Sequence, residues 1–433
     1  MRLKSLFCSL PLLGAAHAFD CSTSSIQSFV PSNTTINFAQ KIAANGTFTT
    51  NDPSSPGKAS NLPALCAVSV TVAPGKNESF SFGLFLPDTW NARFLTVGNG
   101  GFSGGIQWDE MGTGVYYGHA VMSTDTGHSA AAPGGSWAWQ DPAAIINWSY
   151  AAMHGSVVMS KQIINAYYGK TILHSYYRGC STGGRQGFKE AEMFPEDFDG
   201  IVAGAPAWWT VHLQLWNMWV AIENLPANAS HHLSSSHFAA LGAEVLKQCD
   251  GQDGLVDKII SDPRRCDFRP EALLCAPHAT NTSTCLTPAQ LPTVYRLYND
   301  WVETNQTYIF SHLELGSEPQ WDFLLGTPEP TSLGVDYVRY FLNLGPNWRW
   351  QDWNPSIIAL SERINPGNAT ADNFDLTPFH NKGGKILQYH GWADGLIAPG
   401  VSLYLYNQIL RTMQPQGVNL DDFYRLFMVP GMQ

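Results

Sequence analysis

The stretch Gly179-Cys180-Ser181-Thr182-Gly183 has the G-x-S-x-G spacing of a nucleophile elbow. The chemistry depends on that spacing. A serine on a sharp strand-to-helix turn stands exposed above a sheet, flanking glycines let the backbone close without a Cβ clash, and the next N–H, here that of Thr182, faces an oxyanion. The context fits: His174-Ser-Tyr-Tyr reads as a strand, and a helical pattern runs from about Gly183 to Met193. Triads built on such elbows run Ser, then acid, then His along the chain. Asp394, in KILQYHGWADGLIAP, lies between a strand and a helix start and is the candidate acid. Its competing reading is a cap for the helix beginning near Pro399. A Gly-rich loop after an earlier strand should give the second oxyanion donor, and NGGF offers Gly100 or Gly101, of which we take Gly101.

The base should lie in the turn after the next strand, Tyr424 to Val429. That turn reads Pro430-Gly431-Met432-Gln433, so the histidine is expected after Gln433, beyond the sequence in hand. On this expectation residues 19–433 alone hydrolyse esters at close to the background rate. His390 precedes Asp394 on the same strand end, and triad geometry needs the base between serine and acid. It reads as a packed histidine or one that supports Asp394.

A second cluster is CDGQDGLVDKIISDPRRC, with Asp250, Asp253 and Asp257 inside a candidate Cys249–Cys266 bridge. Three carboxylates within eight residues repel unless a cation neutralises them, and hard oxygen ligands suit Ca²⁺. The spacing is not that of an EF-hand. The competing reading is a solvated acidic turn.

The elements that must position these groups follow from periodicity. Strands are expected at Ala67–Val72, Ser81–Leu86, Arg93–Gly98, His174–Tyr177, Gly200–Gly204, Lys385–His390 and Tyr424–Val429, with helices over Ile145–Tyr168, Gly183–Met193 and Pro399–Met413. Strands alternating with helices on both sides of a long middle region give an α/β sheet carrying an insertion. The insertion runs from about Ala207 to Phe379, so the expected domains are 19–206 with 380–433, and an inserted 207–379. The insertion holds Trp208, Trp209, Trp216, Trp219, Trp321, Trp348, Trp350 and Trp353. Aromatic faces suit phenolic and sugar rings, although any one Trp is more often a core residue.

Residues 1–18, MRLKSLFCSLPLLGAAHA, have the basic start, short apolar run and small-x-small end of a secretory signal. A secreted, extracellular protein is expected. Eight N-x-Ser/Thr sequons, at Asn33, Asn45, Asn77, Asn147, Asn228, Asn281, Asn305 and Asn368, agree with export. A net charge of −11 argues against nucleic acid or an anionic membrane as partner. Beyond the signal lie seven cysteines, an odd number in an oxidising compartment. Cys249/Cys266 and Cys275/Cys285 are short-range pairs, and Cys21/Cys66 could staple the N-terminal region. Cys180 is then either a free thiol or paired outside this sequence.

RGCSTGGRQGFKEAEMFPEDFDGIVAGAPAWW and QYHGWADGLIAP resemble the fungal tannase and feruloyl esterase family, most closely its type B feruloyl esterases. The resemblance implies an α/β-hydrolase sheet with a large inserted lid domain. It implies Ser181 as nucleophile, Asp394 as acid, and Cys180 in a disulfide with a cysteine beside the catalytic histidine. That His-Cys pair normally follows a PGM-type turn directly. It also implies a structural calcium in the lid, held by Asp250, Asp253 and Asp257 and the carbonyls of Leu255 and Ile259. The implied substrate is a phenolic ester, a hydroxycinnamate on plant cell-wall xylan or pectin. A tannase acting on galloyl esters is the near alternative, and a catalytically inert secreted protein that binds phenols or sugars is the alternative of another class.

Overall fold

The computed structural model describes residues 20–75, 78–132 and 134–433. The expected signal peptide and the Asn77 sequon lie outside the described residues. Nine strands form the main sheet: β1 (Thr34–Ile42), β4 (Leu65–Val72), β5 (Phe80–Pro87), β6 (Arg93–Val97), β7 (Ala120–Thr124), β8 (His174–Cys180), β9 (Gly200–Gly204), β12 (Lys385–Gly391) and β13 (Tyr424–Val429). Their spatial order is β1-β4-β5-β7-β6-β8-β9-β12-β13. The first three are antiparallel, and from β7 to β13 every pairing is parallel. Two small ribbons, β2 (Gly46–Thr50) with β3 (Gly57–Leu62) and β10 (Trp301–Val302) with β11 (Tyr308–Phe310), lie outside it. The nine-stranded, mostly parallel sheet is α/β-hydrolase-like, as the resemblance implied.

Parallel strands need crossover helices, which cover both faces of a sheet. The helices used below are α1 (Trp108–Val115), α2 (Ala152–Tyr168), α3 (Thr182–Met193), α4 (Thr210–Glu223), α5 (Ser235–Cys249) and α6 (Gly400–Met413). The Ala67–Val72 segment alternates in polarity, yet both faces of β4 are covered. Val68 and Val70 join the core beneath α2, while Leu65 and Ala67 join the core around Trp108.

The helix expected over Ile145–Tyr168 is interrupted. A short helix, Pro142–Ile146, passes into a π-helical turn at Asn147–Ala151 before α2 begins. A π turn shifts the carbonyl ladder and frees acceptors. Here the guanidinium of Arg185 takes the carbonyls of Ser149 at 2.7 Å and Trp148 at 3.1 Å. That turn also corrects the sequon reading: Asn147 is buried, so its amide is closed to a glycan.

Residues 205–384, between β9 and β12, add no strand to the main sheet. They build a separate core around Trp216, Trp321, Phe310 and Tyr337. Trp208, Trp216, Trp321 and Trp348 are buried packing residues, so the indole-rich composition of this region is mainly structural. Among the described residues three disulfides are present, Cys21–Cys66, Cys249–Cys266 and Cys275–Cys285, and Cys180 is free. No helix among the described residues is long and apolar enough to cross a membrane.

Candidate active site

Register brings the candidate residues to one edge of the sheet. Cys180 pairs with Gly204, Gly204 pairs with Tyr389, and Tyr389 pairs with Phe427. On the other side Arg178 pairs with Val97. The loops after β6, β8, β9, β12 and β13 therefore leave the sheet at the same level, at its carboxyl end. Open parallel sheets place their sites there.

Ser181 occupies the single residue between β8 and α3, at φ 59° and ψ −121°. A left-handed φ is costly for a residue with a side chain and persists only when its surroundings fix it. They do so from both sides. The Ser181 N–H donates to Gly204 O at 3.1 Å, and its carbonyl accepts from the N–H of Ala207 at 3.0 Å. The flanking glycines are required by contact: a Cβ on Gly179 would lie 2.7 Å from the Gly183 carbonyl group, and one on Gly183 would lie 3.1 Å from Asn99 O.

Thr182 is the first residue of α3, so its N–H has no carbonyl to meet within the helix and sits at the positive end of the helix dipole. Its hydroxyl donates to Gly101 O at 3.0 Å, and the Trp148 indole donates to the same oxygen at 3.1 Å. Gly101, at φ 53°, is thereby held against the elbow with its carbonyl turned inward. A Cβ on Gly100 would meet nothing within 4 Å, so this part of the loop borders open space.

Sequence reasoning missed the residues that lock the loop. Asn99 N–H donates to Gln186 Oε1 at 3.0 Å, Gln186 Nε2 returns a bond to Asn99 Oδ1 at 3.2 Å, and Asn99 Nδ2 reaches Thr124 O at 2.8 Å. Their signal was polar residues on a helix that packs into the interior. Arg185, Gln186, Lys189 and Glu190 on α3 are all buried.

Asp394 follows β12. Its Oδ1 accepts from the N–H groups of Leu396 at 2.8 Å and Ile397 at 3.0 Å, which is capping geometry. Its Oδ2 lies 3.2 Å from His390 Nε2. The direction of that last bond follows from its network. Tyr424 Oη donates to Gln388 Oε1, Gln388 Nε2 donates to Ser402 Oγ at 2.6 Å, and Ser402 Oγ is left to donate to His390 Nδ1 at 2.7 Å. The ring proton is then on Nε2, which faces Ile397 O at 3.0 Å and Asp394. His390 is completely buried with both nitrogens engaged, so neither is free for a further partner. Burial alone would push the Asp394 carboxyl up. The hydrogen bond from His390 and those from the two backbone N–H groups outweigh it and hold the group below its ordinary value.

Two observations tie Asp394 to its neighbours. The Cys180 thiol is pushed up by burial and then by the negative charge of Asp394. The chain after β13 also runs beside the acid. Trp392 N–H donates to Val429 O at 2.9 Å and Ala393 N–H to Met432 O at 3.0 Å. A cavity of about 470 Å³ opens there, lined by Trp392, Ala393, Gly431, Gln433, Phe238 and Ile260.

The acidic loop follows α5. Asp250 is buried, and its carboxylate accepts from the N–H groups of Asp257 at 3.2 Å and Lys258 at 3.0 Å. Asp253 accepts from Leu255 N–H at 2.9 Å and from the Ser261 hydroxyl, and Asp257 accepts from Ile259 N–H at 3.0 Å. The donors have calcium's hard-oxygen chemistry, but each carboxylate here turns to the loop's own N–H and O–H groups. Among the described residues the titratable group that does converge to metal-binding spacing is a different one, His154, Glu190 and Asp197, and it could hold a metal ion.

A family model described as tannase and feruloyl esterase matches residues 66–310 and 350–433. A probable feruloyl esterase B-2 of Neosartorya fischeri is 35% identical over 368 residues, covering 85% of this chain and 70% of the relative. The chain belongs to the tannase and feruloyl esterase family. Among solved structures of the family's kind, feruloyl esterase B from Aspergillus oryzae superposes with a TM-score of 0.89 at 32% identity, covering 95% of this chain and 82% of that one. A tannin acyl hydrolase from Aspergillus niger, at 20% identity and a TM-score of 0.76 over 95% of this chain and 82% of that one, shares the fold. Homology within the family implies a carboxylic ester hydrolase and phenolic ester substrates.

Proposed function

We propose that this chain is a secreted serine esterase that releases hydroxycinnamic acids from plant cell-wall polysaccharide. The observation that carries the reading is the elbow serine on the same sheet edge as an oriented, ionised Asp394. In the proposed reaction Ser181 Oγ attacks the ester carbonyl, and the N–H groups of Thr182 and Gly101 receive the oxyanion. A histidine oriented by Asp394 takes the serine proton and returns it to the leaving alcohol; water then repeats the sequence on the acyl-enzyme. None of the described histidines fills that place, since the one beside Asp394 has both nitrogens engaged. The turn Pro430–Met432, bonded to Ala393, runs beside Asp394, and it is beside this turn that we place the base.

The inserted segment 207–379 acts as the lid. Its core includes Phe102 from the oxyanion loop and Ile397, Ala398 and Val401 from the chain after Asp394, so it packs on both sides of the site. We assign the Asp250, Asp253 and Asp257 loop, with the Leu255 and Ile259 carbonyls, to a structural Ca²⁺. Export is supported by the three disulfides and by the exposure of Asn33, Asn45, Asn228, Asn281, Asn305 and Asn368.

Turnover of methyl ferulate against propyl gallate tests the substrate class. A form of the chain carrying a histidine after the 430–432 turn should hydrolyse methyl ferulate in preference to propyl gallate, and Ser181→Ala should abolish it. Residues 19–433 alone should fall short by about three or more orders of magnitude. A preference for propyl gallate moves the assignment to tannase. Phenol or sugar binding with no turnover by either form replaces the enzyme with a binding protein.

A further inference from the structure

His154, Glu190 and Asp197 form a cluster that the esterase chemistry does not use. His154 lies in the first turn of α2, Glu190 in the last turn of α3, and Asp197 in the loop that leads into β9. One ligand atom from each lies within 4.8 Å of the other two. His154 Nδ1 is 2.6 Å from Asp197 Oδ2. The imidazole is held face to face against Phe194, with ring centres 3.6 Å apart and an 8° interplanar angle, so its nitrogen has a fixed aim.

Glu190 supplies the second, independent observation. It is 1% exposed, and neither carboxylate oxygen has a hydrogen-bond donor. A buried carboxylate without a partner is among the costliest arrangements in a protein interior. The Lys161 ammonium makes no hydrogen bond to it. Lys161 Nζ bonds the carbonyl of Asp197 at 2.5 Å and stands 3.7 Å from Asp197 Oδ1. Two buried carboxylates thus share one ammonium, which serves Asp197 and leaves Glu190 unmatched.

We propose that His154 Nδ1, Asp197 and Glu190 bind one divalent first-row transition metal, Zn²⁺ in the first instance, as a clamp joining α3 to α2. The donor set selects the ion. Ca²⁺ and Mg²⁺ favour shells made of oxygen, whereas an imidazole nitrogen with two carboxylates suits Zn²⁺ and its neighbours at roughly 2.0–2.2 Å per bond. The side chain of His154 is 33% exposed, which provides an entry path and room for a solvent ligand. The site lies at the far end of α3, the helix that follows Ser181, so the ion is structural and takes no part in ester chemistry. The assignment does not depend on the substrate.

The test is isothermal titration of the purified, chelator-treated protein with ZnCl₂ in excess CaCl₂, with melting temperature as a second readout. We expect one equivalent of Zn²⁺ that Ca²⁺ does not displace, and a melting temperature raised by Zn²⁺. His154→Ala and Glu190→Gln should each weaken binding by at least about tenfold and cancel the thermal shift. Glu329→Gln, at an exposed carboxylate of the inserted segment, should change neither. Because His154 is half-exposed, His154→Ala remains informative if Glu190→Gln fails to fold. Absence of stoichiometric binding, or binding unchanged in His154→Ala, overturns the proposal and leaves Glu190 as a carboxyl that shares a proton with Asp197.

Discussion

Ser181, the proposed nucleophile, stands in a backbone conformation that its side chain resists. A left-handed φ costs a residue bearing a Cβ about 1–3 kcal/mol, and glycine far less. Ser181→Gly should therefore be inactive and more stable than the parent by about 1 kcal/mol, which denaturant melts would show; a destabilised variant would mean that the serine side chain supports the fold. Asp394 makes a different residue-scale prediction. Its folded-state pKa is lowered, so it contributes stability above the ordinary carboxylate range, and that contribution is lost as pH falls through the folded value. Asp394→Asn should be less stable than the parent at pH 7, with the gap narrowing as pH drops below about 4. Melting temperatures across pH 3–7 would check it, and a gap independent of pH would show that only packing is involved.

At the scale of elements, the oxyanion loop and the elbow are fitted together by glycines that do not tolerate a methyl group equally. A Cβ on Gly98 would lie 2.3 Å from Tyr177 Oη and 2.8 Å from Gly183 Cα, whereas Gly100 faces open space. Gly98→Ala should destabilise by about 1–3 kcal/mol and displace the loop from Thr182. Gly100→Ala should stay within about 0.5 kcal/mol in stability, so any loss of its turnover would report on substrate access. Urea melts paired with ester assays on both variants separate the two effects. The Gly-rich motif was legible in the sequence, but which glycine is indispensable was not. That depends on Tyr177 and Gly183, which are 79 and 85 residues further along the chain than Gly98.

For the whole molecule, the inserted segment must keep its own core registered over a sheet edge that it does not extend. The acidic loop between α5 and Cys266 is where a cation would stiffen it. Saturating Ca²⁺ at about 100 times its Kd should add roughly 2.7 kcal/mol to stability. Chelation should remove that gain and Asp253→Asn should abolish it, as followed by thermal unfolding with and without Ca²⁺. A Ca²⁺ response that survives Asp253→Asn would place the ion elsewhere.

The sequence by itself determined what short range can encode. Periodicity marked the strands and helices within a few residues, the elbow pentapeptide marked the candidate nucleophile, and the order of strand, acid and helix marked Asp394 as the candidate acid. Short cysteine spacings marked two of the three disulfides. These signals survive because each is a local constraint on φ, ψ or on one face of one element. The tertiary structure decided what depends on distant partners. It interrupted the helix at Asn147–Ala151 because Arg185 needs carbonyls there, and it buried the Asn147 sequon in the same turn. It used both nitrogens of His390 through a chain of bonds that begins at Tyr424. It also brought His154, Glu190 and Asp197 together, although no motif joins them. Buried polar groups must find partners wherever the fold supplies them, and no spacing along the chain records where that will be.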